Sequence, residues 1–109
     1  MIINQKTNRT VIVGKVQDLP QGRGATVILD DGTDLALFNI GGKFFAVDNA
    51  CPHRGVPLAD GKICANLIEC GGHGWRFDLQ TGYCLDNPQE RLNTYHVFIE
   101  NEDIKIVIK

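Results

Sequence analysis

No apolar run in this 109-residue chain approaches the roughly 20 residues that a membrane-crossing helix needs. The opening residues, MIINQKTNRT, have no charged start, long apolar middle or small-residue cleavage site, so no secretory signal is read there and a cytoplasmic setting is expected. Basic charge is scarce as well. Eleven Lys and Arg against thirteen Asp and Glu give a net charge of -2 and no basic stripe, so neither nucleic acid nor a membrane surface is expected as a partner. The chain also lacks internal repeats, low-complexity tracts and linkers, and its length fits a single domain, 1–109. It shows no paired nucleophile and base, no Gly-rich nucleotide loop and no mononuclear iron triad, so independent catalysis is not expected.

What the chain does have is a series of short apolar segments between turn signals. They fall at 11–16, 25–29, 34–40, 43–48, 62–65, 67–69, 76–78, 83–85, 91–100 and 104–108. Most are too short for helices and are rich in Val, Ile, Phe and Thr, which favours strands. Asp31-Gly32 and Gly41-Gly42 tolerate the positive φ of tight hairpins, and 101–103 is a short polar turn. Ile104, Ile106 and Ile108 alternate with Lys105, Val107 and Lys109 on the period of two of a half-buried strand. The expected fold class is all-β, an antiparallel sandwich or open barrel.

One stretch departs from this pattern. Residues 49–88 hold all four cysteines, three of the four prolines, two of the three histidines and a concentration of glycines. Such a segment has little apolar material for a core of its own, and a metal centre is the obvious candidate to hold it together. In a reducing compartment cysteines read better as metal ligands than as disulfides.

The histidines decide which cysteines matter. Cys51-Pro-His53 is followed after sixteen residues by Cys70-Gly-Gly-His73. A zinc finger of the usual spacing groups its ligands by type, whereas each loop here mixes one thiolate with one imidazole. Mixed loops suit a two-iron cluster, because each can give its cysteine to one iron and its histidine to the other. Replacing two of four thiolates by neutral imidazoles removes two negative charges from the oxidised cluster, which raises its potential. Gly55, Gly71, Gly72 and Gly74 are expected to let the backbone approach the cluster and aim N–H groups at its sulfurs, while Pro52 and Pro57 stiffen the first loop.

These residues carry a resemblance. Cys51-Pro-His-Arg-Gly-Val-Pro-Leu58 and Cys70-Gly-Gly-His-Gly-Trp-Arg-Phe-Asp78 resemble the two cluster-binding loops of Rieske proteins. The likeness extends through Thr81-Gly82, Asp86-Asn-Pro88 and Thr94-Tyr-His-Val97, and covers the chain from about Val13 onward. It implies a Rieske iron-sulfur fold with a cluster-binding subdomain at about 49–88 and one [2Fe-2S] cluster, with Cys51 and Cys70 on one iron and His53 and His73 on the other. Pro88 would belong to a proline-containing loop over the cluster. The high-potential branch has an inter-loop disulfide where this chain has Val56 and Gly72, and serine and tyrosine donors where it has Trp75 and Phe77. Those departures imply the low-potential, ferredoxin-like branch.

The resemblance implies a soluble one-electron carrier, passing electrons from a flavin-containing reductase to a terminal oxygenase or reductase, as ring-hydroxylating dioxygenase ferredoxins do. A small subunit of an NAD(P)H nitrite reductase is similar too, and a redox or iron sensor is a third reading. Of the other residues, Cys64 and Cys84 are expected to be buried thiols outside the ligand set, and His96 to be structural or solvent-facing. Trp75 is expected to pack beneath the loops, and the acidic residues near the turns to be solvated.

Overall fold

A computed structural model describes residues 9–52, 55–71 and 74–108. In chain order they form β1 (Arg9–Lys15), a 3-10 turn (Val16–Asp18), β2 (Arg23–Ile28), β3 (Asp34–Ile40), β4 (Lys43–Asp48), a second 3-10 turn (Leu58–Asp60) and β5 (Lys62–Cys64). There follow β6 (Leu67–Glu69), β7 (Arg76–Asp78), β8 (Thr94–Tyr95), β9 (Val97–Glu100) and β10 (Asp103–Ile108). Among the described residues no helix is long and apolar enough to cross a membrane.

The strands build three antiparallel sheets, ordered β1-β10-β9, β2-β3-β4-β8 and β5-β6-β7. The four-stranded sheet lies in the middle because β3 is apolar on both faces, with residues 35–39 all buried. Leu35 and Leu37, with Ala46 of β4, pack against Ile104, Ile106 and Ile108 of the first sheet. Ala36 and Phe38, with Phe45 and Val47, point the other way, toward Leu58, Ile68 and Phe77. The 49–88 stretch therefore does not lack a core, as its composition suggested. It contributes its apolar side chains to a core shared with the central sheet.

Turn chemistry sets the hairpins. Gly41 and Gly42, at φ +63° and +86°, reverse the chain between β3 and β4. Asn101 and Glu102 do the same between β9 and β10, at φ +53° and +68°. Asn tolerates that region, but Glu102 has a Cβ to strain. Glu102→Gly is expected to stabilise the fold by about 0.5–1 kcal/mol in chemical denaturation, the relief of strain exceeding the added freedom of the unfolded chain. A loss of stability would show that the glutamate is relaxed there.

Two segments differ from the sequence reading. The 91–100 run is broken at His96, where the chain leaves the central sheet (β8) for the outer one (β9), and the His96 carbonyl accepts the Val107 N–H at 2.9 Å. Residues 83–85 make single bridges, Phe77 with Cys84 and Tyr83 with Arg91, which extend the third sheet beyond β7 without a full strand.

At the β4–β8 edge, Tyr95 donates its phenolic O–H to Asp48 Oδ1 at 2.8 Å, while Asp48 Oδ2 accepts the Asn93 N–H at 2.8 Å. Burial, and then the bond to Asp48, push the Tyr95 phenol from 10.0 up to about 12. The folded protein thus holds this proton more tightly than the unfolded chain. Its contribution to stability is complete below about pH 10 and is lost as pH rises through the folded-state value. Denaturation measured between neutral and strongly alkaline pH should show Tyr95→Phe losing less stability over that range than the wild type. Equal losses would contradict the linkage.

Candidate metal centre

The two cysteine loops are built alike although their sequences differ. In the first, the Cys51 N–H donates to the Val56 carbonyl at 3.0 Å, and the Gly55 N–H donates to the Cys51 carbonyl at 2.6 Å. In the second, the Cys70 N–H donates to the Trp75 carbonyl at 2.7 Å, and the Gly74 N–H donates to the Cys70 carbonyl at 3.0 Å. Gly55 and Gly74 both stand at φ +72°. Pairing of Ala50 with Pro57 closes the first loop, and pairing of Glu69 with Arg76 closes the second.

The glycine at the fifth position of each loop is required by its backbone conformation. An added Cβ would meet no protein atom within 4 Å at either position. Nor do these two N–H groups aim at sulfur, as expected from the sequence, since both turn back to the cysteine carbonyl of their own loop. Gly72 of that expectation lies outside the described residues.

The loops bring Cys51 and Cys70 into one buried cluster with Leu58, Ile68 and Phe77, at 1% and 2% exposure. His53 and His73, the other two expected ligands, lie outside the described residues. Cys84 is buried at 4% exposure. Cys64 is exposed, contrary to expectation, because its three-residue strand β5 ends there at the rim of the third sheet. Trp75 and Val56, at matching places in the two loops, both pack part-buried against the shared core. His96 is exposed and stacks on Phe98 with ring centroids 5.8 Å apart.

A third segment adjoins the second loop. The Leu85 N–H donates to the Arg76 carbonyl at 2.8 Å, and Asp86 grips Arg76, accepting its backbone N–H at 2.8 Å and its Nη2 at 2.8 Å. That pairing holds the Asp86 carboxyl below its usual range, the Arg76 side chain acting first and its backbone N–H next. Pro88 follows two residues later and is exposed. Sequence reasoning noted 86–88 by resemblance but missed the Arg76–Asp86 clasp, whose partners stand ten residues apart on different elements.

A hollow of about 570 Å³ lies elsewhere, lined by Asp31, Thr33, Asn93, Tyr95 and His96 among others, and neither cysteine loop contributes to its walls.

Residues 9–96 match the family model described as the Rieske [2Fe-2S] domain. The chain belongs to the Rieske family. The ferredoxin component of the naphthalene 1,2-dioxygenase system of Pseudomonas aeruginosa is 34% identical over 103 residues, 92% of this chain and 96% of that one. Among solved structures, the Sphingomonas yanoikuyae B1 ferredoxin superposes with a TM-score of 0.83 at 32% identity, covering 90% of this chain and 97% of that one. A Mycobacterium tuberculosis protein assigned as an NADH-dependent nitrite reductase small subunit superposes with a TM-score of 0.89 at 25% identity, covering 95% and 98%.

A Rieske domain carries one [2Fe-2S] cluster, and the two loop cysteines, Cys51 and Cys70, fit it. Both are soft donors, held from solvent at the ends of short loops whose backbones are closed by their own hydrogen bonds. When bound, the cluster takes up and returns one electron. Leu58, Ile68 and Phe77 share the buried cluster that keeps water from the cysteines, and Val56 and Trp75 pack against it.

Proposed function

We propose that this Rieske protein is a one-electron carrier in the cytoplasm whose single domain binds its cluster through Cys51 and Cys70 on one iron and His53 and His73 on the other. It would take an electron from a flavin-containing reductase and deliver it to a terminal oxygenase. The observation that carries this reading is the pair of matching cysteine loops at one buried edge of the fold, in a chain that aligns with nearly the whole of a dioxygenase-system ferredoxin component.

The loop surroundings support transient docking. Pro52, Gly55, Pro57 and Gly71 are exposed on the loops, and Leu85, at 48% exposure, stands beside the second. A small face of this kind suits brief contact with successive partners. The alternative, a small subunit held permanently on a nitrite reductase, draws support from the likeness over 95% of the chain to the Mycobacterium tuberculosis structure.

Reconstitution separates the two. The purified protein, mixed with an NADH-dependent flavin reductase and a ring-hydroxylating oxygenase, should restore NADH-driven hydroxylation and still elute alone on size exclusion. Stable co-elution with a nitrite reductase large chain, with no transfer to any oxygenase, would favour the alternative.

A further inference from the structure

Asn49 stands two residues ahead of Cys51 and is buried at 2% exposure. Its Nδ2 donates to Thr26 Oγ1 of β2 at 3.1 Å and to Asp34 Oδ1 of β3 at 3.0 Å. Its Oδ1 accepts the Ala59 N–H at 2.9 Å. Its own backbone N–H donates to the Asp34 carbonyl at 3.1 Å, and its carbonyl accepts the Leu58 N–H at 2.7 Å. One buried side chain therefore joins two strands of the central sheet to the 3-10 turn that follows the first cysteine loop.

The second loop is carried differently, directly by the β6–β7 ladder. The central and third sheets share no strand among the described residues, so the first loop hangs from one sheet and the second from another. Where Cys51 stands relative to Cys70 depends on the join between those sheets. Leu58–Asp60 leads through Gly61 straight into β5 of the third sheet, and Asn49 grips that turn.

We propose that Asn49 is a positioning residue for the metal centre, fixing the Cys51 loop against the sheet that carries Cys70. This rests on the reading that Cys51 and Cys70 hold the cluster. The site demands an amide, since two donors and one acceptor are needed on one short side chain. An aspartate there would lose both donors and face the Asp34 carboxylate. Exchanging the two side chains restores complementarity. The amide, moved to β3, would donate to the carboxylate put in place of Asn49, the Thr26 hydroxyl can rotate to donate to it, and it still accepts the Ala59 N–H.

The test uses the cluster-loaded full chain and two readouts, the rate of iron loss to a chelator and the EPR spectrum of the reduced protein. Asn49→Asp and Asn49→Ala should release iron about tenfold faster or more, with a shifted or broadened spectrum. The double variant Asn49→Asp with Asp34→Asn should return to within about threefold of the wild-type rate and recover its spectrum. Asn39→Ala serves as the control for simple destabilisation. Asn39 is likewise buried, bonding the Leu19 carbonyl and the Gly42 N–H away from both loops, and its variant should keep the wild-type spectrum. Wild-type spectra and iron retention in the Asn49 variants overturn the proposal, as does a double variant that fails to recover the spectrum for any reason, misfolding included. A Cys51→Ser protein that keeps its cluster instead removes the ligand reading on which the proposal rests.

Discussion

Cys51→Ser and Cys70→Ser are each expected to strip the protein of its cluster, leaving iron, labile sulfide and visible absorbance at background. Serine is a hard, poorly acidic donor in place of a soft thiolate, and each cysteine is held by a loop that offers no neighbouring thiol as substitute. Cys64→Ser should be silent, because Cys64 is exposed at the rim of β5. Cys84→Ser should cost some packing, since Cys84 is buried against the shared core, yet keep the cluster. Iron and sulfide analysis of the four purified variants checks the pattern. Cluster loss in Cys84→Ser with the sheets intact, or retention in Cys70→Ser, would contradict the ligand set.

Phe77→Ala is expected to cost about 3–5 kcal/mol, a large part of the stability of a domain this size. Phe77 is fully buried, pairs with Ile68 on one side and Cys84 on the other, and faces the side chains of the central sheet. Its ring fastens the third sheet, which carries the Cys70 loop, to the rest of the molecule. Urea denaturation should show a lower midpoint with an unchanged slope. A cost under about 1 kcal/mol would mean that the third sheet does not depend on the shared core, and that the metal centre alone holds it.

Much of this fold was legible because its punctuation is chemical. Gly41-Gly42 left β3 and β4 no choice of boundary, and the alternating isoleucines of β10 declared their buried face in advance. The cysteine loops were equally plain from their mixed spacing, although the positive φ that Gly55 and Gly74 supply was not part of that reading. What escaped was whatever depended on distant partners. The exposure of Cys64 could not be read from a three-residue strand, which is too short to show a period. The break at His96 reflects a change of sheet within a continuous apolar run. The 49–88 stretch looked short of core because its apolar residues find their partners on β3 and β4. Asn49 carried no signal at all, since a buried asparagine looks like any loop asparagine until Thr26, Asp34 and Ala59 surround it.

A two-iron cluster with two imidazole ligands in the low-potential branch has one decisive property, its reduction potential. A redox titration of the purified protein near neutral pH should give a midpoint of roughly -150 mV, the low end of the Rieske range. Two neutral imidazole ligands would raise it above the all-thiolate clusters, and the lack of an inter-loop disulfide and hydroxyl donors, with Val56, Trp75 and Phe77 in those places, would keep it from rising further. A midpoint near about -400 mV, as in an all-cysteine plant-type cluster, would contradict histidine ligation, and one above about +200 mV would contradict the branch.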